Sequence, residues 1–199
     1  LRYAKGHKRE TRQRIIQTAA QRFKRDGIDG AGVSTLMADA GLTNGAFYAH
    51  FSSKEDLVAT VIADQLDGQR ESFNAVPFDR GGVEQAVRQY LSAEHRDNPA
   101  YGCPSAALLD EIGRCADTTK QVYTDGLMAV IDALATRVSP GGPQAPRSVT
   151  LTVFAMMVGT IQLSRALVDR ELADELLEQA IADALKLLDA AAVQAAEQD

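Results

Sequence analysis

Residues 32–57 read GVSTLMADAGLTNGAFYAHFSSKEDL, and the rest of the chain is organised around them. Leu36, Met37 and Ala40 give one apolar face at helical spacing, and Gly41 supplies the left-handed residue that ends that helix. Thr43 is placed to cap the next helix, where Phe47 and Phe51 fall four apart on one side. Leu42 in the turn faces the same way and sets the two helices at a steep angle. A short helix, a glycine turn and a second short helix make a helix-turn-helix. Thr43, Asn44, Gly45 and Tyr48 point away from the aromatic anchors. They offer hydroxyls, an amide and bare backbone, chemistry suited to base edges and phosphates. Two packed helices in an all-helical domain would satisfy the same spacing, so spacing alone leaves DNA binding at even odds.

The preceding segment breaks the tie. Thr11-Arg12, Ile15, Ala19-Ala20, Phe23, Gly27, Ala40-Gly41, the run Phe47 to Phe51 and Ser53-Lys54-Glu55 together resemble the N-terminal domain of TetR-type transcriptional regulators over roughly the first 60 residues. The resemblance implies an all-α chain of about nine helices. A helix-turn-helix DNA-binding domain over 1–53 would be joined by a long fourth helix to an effector-binding and dimerisation domain over 54–199. It implies a homodimer on a pseudo-palindromic double-stranded operator, most simply a repressor released by a small-molecule effector. In that reading Thr43, Asn44, Gly45 and Ala46 approach base edges. Tyr48, His50 and Lys54 hold the backbone, helped by Arg12, and Ser34 lies on the same surface. The pattern is incomplete, because relatives often carry Lys where Asn44 stands, Thr where Ala46 stands, and Thr or Ser at Gly32.

Charge supports the partition. The chain carries a formal −6, but residues 1–56 hold 10 Lys+Arg against 6 Asp+Glu, and residues 57–199 hold 11 against 21. A basic unit on an acidic body can still engage a polyanion, since screening limits the body's repulsion to about 8 Å. Lys5, Lys8, Arg9 and Arg12 crowd the start of a first helix over 8–26 and suit a phosphate-contacting arm better than a helix dipole. Ser52 with Glu55, or Ser53 with Asp56, forms a capping box that opens the fourth helix, which runs to about Ala75 before Pro77. That helix joins the two units and is the natural lever between them.

The body reads as helices over 81–97, 104–116, 118–138, 147–169 and 172–196, with a loop over 139–146 that looks mobile. The last two are apolar on more than one face. The resemblance makes them a four-helix dimer interface, with Val153, Ile161, Leu176, Ile181 and Leu185 as interface residues. A pocket is expected among Tyr101, Cys103, Leu108, Met128, Phe154, Met157 and Gln162, although a Met and Phe stripe is more often plain core. Cys103 precedes Pro104 at a helix start, where the dipole favours reactive thiolate, so oxidation or alkylation of Cys103 is an alternative signal. Cys115 lies at the far end of the same helix, out of disulfide reach.

Other functions fare poorly. His7, His50 and His95 are scattered, no Cys/His metal spacing or phosphate loop occurs, and Asp110-Glu111 point apart on a helix, where solvation explains them. No catalytic residue, metal or cofactor is expected. The most apolar run, 149–163, is short of the ~20 residues a bilayer needs, and nothing resembles a secretion signal. A soluble cytoplasmic protein without a membrane partner is expected. A helical ligand-binding protein without DNA function remains the competing class.

Overall fold

The computed structural model describes residues 2–77, 79–138 and 147–196. Within them the chain forms ten α-helices and one 3-10 turn, and no strand. The first three, α1 (Arg2–Asp26), α2 (Val33–Asp39) and α3 (Asn44–Phe47), make the N-terminal unit, and α4 (Lys54–Ala75) leads out of it. The body adds α5 (Arg80–Tyr90), α6 (Ala93–Asp97), the 3-10 turn Pro99–Tyr101, α7 (Pro104–Arg114), α8 (Asp117–Val138), α9 (Arg147–Ala166) and α10 (Arg170–Ala196). The loop read as mobile over 139–146 lies outside the described residues.

Glycine ends the first two helices as the pattern requires. Gly27 and Gly41 have φ of +83° and +67°, a region costly for residues with a Cβ. Of the two capping boxes open to α4, the structure uses Ser53, whose Oγ accepts the Asp56 N–H at 3.2 Å. The Asp56 carboxylate reaches back to the N–H of Ser52 at 2.8 Å. At the other end of α4, the Arg137 guanidinium donates to the carbonyls of Asn74 and Val76, placing a cation on the negative end of the dipole.

The span 81–97, expected as one helix, is two. Leu91 leaves helical geometry at φ −88° and ψ 57°, and Ser92 then caps α6 by accepting the His95 N–H at 3.1 Å. Periodicity continues through Leu91, so the break is set by this local cap and by the His95 ring, which bonds the Tyr90 carbonyl. This division supplies the tenth helix.

One continuous core runs through both units, from Ile15, Ile16 and Phe23 of α1, through Leu57, Val61 and Leu66 of α4, to Ile131, Met157 and Ile181 of the body. The α4–α8 and α9–α10 pairs make the most extensive helix–helix interfaces. By length and composition, α9 is apolar enough to cross a membrane, which the 15-residue run did not suggest. Its Val153, Phe154, Met157, Val158 and Ile161 are buried against neighbouring helices, the placement of a core helix.

The expected interface residues differ in their burial within this chain. Val153 and Ile161 are wholly enclosed in their own protomer, and Ile181 and Leu185 are buried there too; Leu176 alone of the five is partly accessible. Leu163, Leu172 and Leu187 are among the apolar side chains of these helices that face outward.

Candidate nucleic-acid interface and body cavity

The reading surface rests on two buried rings. Phe47 is 1 % exposed, and it stacks at a tilt on Phe51 with centroids 5.7 Å apart. Arg12 of α1 lies over the Phe51 ring at 4.9 Å, which fixes α1 against the end of α3. Thr43, Asn44 and Gly45 are exposed, and Tyr48 is 73 % exposed with its ring edge-on to Phe47. Ala46 is half-buried against the core. Thr43 stands at the N-cap of α3, but its side chain makes no capping bond. A Cβ built on Gly45 would meet nothing within 4 Å, so the fold does not require glycine there.

Asn44 is already engaged. Its Nδ2 donates to Ser34 Oγ at 2.6 Å, tying the first residue of α3 to α2. Bidentate reading of a base by Asn44 requires this bond to open. His50 is half-buried with Nδ1 enclosed and without a partner among the described residues. Burial, then Lys8 and Arg12, push its pKa down and keep the ring neutral. Lys54 opens α4, where Glu55 and Asp56 of the same turn offset its charge against the dipole.

Two charged side chains, Glu111 and Lys24, are among those that clasp body and N-terminal unit. The Glu111 carboxylate of α7 accepts the backbone N–H groups of Ile28 and Asp29 just past the end of α1. Lys24 of α1 donates to Gln65 Oε1 on α4 at 2.7 Å and to the Gly102 carbonyl at 3.0 Å. Glu111 is thus not the solvated carboxylate that its spacing suggests. Neither residue carries a sequence signal for this role, because the partners are backbone groups or lie 41 and 78 positions away.

A cavity of about 360 Å³ opens between α4, α5 and the start of α7. Of the expected pocket residues, it is lined by Tyr101 and Cys103. Phe154 lies behind its wall, with ring centroid 6.0 Å from that of Tyr90, and Leu108 and Met157 are core. Met128 packs against the core from a half-buried position, and Gln162 lines a separate open cleft beside Gly27. The spacing missed Gln65 and Gln69 of α4, and Tyr90 and His95, which flank the break at Leu91. Cys103 is 8 % exposed, its thiol donates to Gln69 Oε1 at 3.4 Å, and both cysteines are free. Among the described residues no cluster of three His, Cys, Asp or Glu side chains is placed to hold a metal.

Residues 15–61 match the profile of the N-terminal domain described as "Bacterial regulatory proteins, tetR family". An uncharacterized helix-turn-helix regulator of Bacillus subtilis, YdgC, is 40 % identical over 85 residues, 42 % of this chain and 44 % of that protein. The N-terminal part of the chain is thus similar to the DNA-binding domain of TetR-family regulators. The repressor BepR of Brucella suis is similar at 32 % over 94 residues, 47 % of this chain and 45 % of that protein. The matched part spans less than half the length of these curated relatives. The likeness of fold extends further. The structure of reduced NemR from E. coli superposes with a TM-score of 0.74 at 20 % identity, covering 88 % of this chain and 95 % of that one. A tetR-family regulator from Streptomyces coelicolor gives 0.71 at 19 %, covering 95 % and 85 %.

Proposed function

We propose that this chain is a TetR-family DNA-binding transcriptional regulator that acts in the cytoplasm as a homodimeric repressor on a pseudo-palindromic operator. The observation that carries this reading is the set of exposed, hydrogen-bonding residues Thr43, Asn44, Gly45 and Tyr48 held on a helix pinned by buried Phe47 and Phe51. Base reading falls to Thr43, Asn44, Gly45 and Ala46, with Ser34 beside them; Arg12, Tyr48, His50 and Lys54 hold phosphates. A single helix this short reads few bases, so two copies are needed for useful affinity. The outward stripe Ala155, Gly159 and Leu163 on α9, with Leu172 and Leu187 on α10, supports a partner on that face. Selection of genomic fragments by the purified chain, followed by footprinting, tests the reading: protected half-sites in inverted repeat support it, and recovery of random fragments overturns it.

A small-molecule effector releases the operator by favouring a state in which α4 has moved. The N-terminal end of α4 carries the reading unit and its Gln65, Gln69 and Phe73 line the cavity, which supports this route. An effector works only through a difference in affinity between the two states. Modification of Cys103 is a second reading, favoured by the placement of this thiol in the cavity wall. Full response of Cys103→Ser to oxidants and alkylating agents would overturn that second reading.

A further inference from the structure

The wall of the body cavity is short of negative charge. None of its described lining residues carries a carboxylate. Tyr90 is 8 % exposed, and its hydroxyl is buried beside the Cys103 thiol, with no hydrogen bond of normal geometry among the described residues. Burial, and next the adjacent Cys103 thiol, push the phenol well above its ordinary pKa, so the hydroxyl stays a donor. A buried donor left without an acceptor is costly, and a ligand that supplies one recovers that cost.

Two further features come from other elements. The eleven-residue α7 begins at the cavity with Cys103 and Pro104 in the lining, and Cys103 makes no side-chain cap. The first-turn N–H groups of Ser105 and Ala106 have no intrahelical acceptor, and the positive end of the dipole lies there. Lys24, 8 % exposed, bonds only the neutral oxygens of Gln65 and Gly102 among the described residues, and both line the cavity. Burial lowers its pKa to about 8, and the Cys103 thiol is the acidic group that opposes this. Arg165 behind the wall likewise spends its guanidinium on the carbonyls of Arg96, Ala106 and His95.

We propose that this cavity binds a small organic anion, a carboxylate on a short apolar body, with the carboxylate between the Tyr90 hydroxyl and the start of α7 and the apolar part against Phe73 and Val76. A helix N-terminus with a nearby cation and a buried hydroxyl donor is a carboxylate site in both charge and hydrogen bonding. The volume suits a ligand of one ring. Lys24 belongs to α1, so an anion that draws on it competes with the Gly102 contact clasping the reading unit to the body. The role of the anion as the effector rests on the regulator reading above; its binding does not.

Calorimetric titration of the full chain with benzoate and with its neutral isostere benzamide tests the site. Benzoate is expected to bind with Kd near ~1 mM or tighter, and benzamide not to saturate. Tyr90→Phe, which keeps the buried ring and removes only its hydroxyl, should weaken benzoate about tenfold. Lys24→Met should abolish the preference for the charged ligand. Cys103 and His95 are the titratable groups that share a field with Lys24, and burial keeps His95 neutral. Cys103→Ser removes the group that raises Lys24, so benzoate affinity should fall at a lower pH in this variant than in the parent. Equal binding of benzoate and benzamide, no binding of benzoate, or an unchanged Tyr90→Phe overturns the proposal. Benzoate binding to Cys103→Ser but not to the parent overturns it too, because the cavity as it stands would then not accept an anion. Operator affinity is read separately: benzoate binding without operator release leaves the anion site standing and removes its effector role.

Discussion

The Glu111 carboxylate accepts the Ile28 N–H at 2.6 Å and the Asp29 N–H at 3.3 Å, so a helix of the body satisfies backbone donors exposed just past α1. Hydrogen bonds to a charged acceptor contribute about 1.5–3 kcal/mol when buried, and less here because the site is only partly so. Glu111→Ala is expected to cost ~1 kcal/mol and to speed exchange of the Ile28 and Asp29 amides selectively. Native-state hydrogen exchange reads this directly; unchanged protection at both amides would show that the clasp carries no energy.

Gly45 separates reading from folding. Glycine disfavours a helix, yet nothing in the protomer occupies the space a Cβ would take. Gly45→Ala should leave thermal stability unchanged or raise it by up to about 1 kcal/mol, while weakening operator binding at least several-fold through lost backbone approach. Thermal unfolding and DNA titration of the same preparation check the two halves; equal operator affinity would remove Gly45 from the interface.

His95 gives the body a pH dependence of definite sign. Its Nδ1 bonds the Tyr90 carbonyl at 2.7 Å and its Nε2 accepts the Cys103 N–H at 3.0 Å, which together fix the neutral tautomer with Nδ1 protonated. Burial, then Arg165 and Lys24, depress its pKa below the ordinary 6.5. As pH falls through about 6.5 the unfolded chain takes up a proton that the folded chain resists, so this stabilisation is present above that pH and lost below it. Denaturant titrations at about pH 7.5 and about pH 5.5 should show the loss, and His95→Gln should flatten it. Equal pH slopes for the two proteins would contradict the assignment.

The parts legible in the sequence are those governed by local chemistry. Gly27, Gly41, the Ser53 cap and the Phe47–Phe51 pair each act within a few residues, and the N-terminal unit follows from them. The body was legible as helices but not as a cavity. Leu91 continues the apolar period of α5, and only the Ser92 cap and the His95 ring break it, with cavity-lining Tyr90 and His95 on either side. The expected interface residues show the same limit. Val153 and Ile161 belong to a wide apolar stripe, and the stripe alone does not say which part packs internally.

The outward stripe supplies a prediction for assembly. Leu163 is 62 % exposed on α9, in line with Ala155 and Gly159. Leu163→Glu places a charge on that face without touching the core, and should shift the chain from dimer to monomer while leaving its helical content intact. Sedimentation equilibrium with circular dichroism tests it; a Leu163→Glu dimer of parent affinity would move the interface elsewhere.

The most direct test of the regulator reading is fluorescence anisotropy on the DNA upstream of the chain's own gene, against scrambled DNA of equal length, over a series of salt concentrations. The account predicts tight, selective binding with a steep salt slope, lost in the Tyr48→Phe/Lys54→Ala double variant. Equal, weak binding to both DNAs, unchanged in that variant, would contradict it.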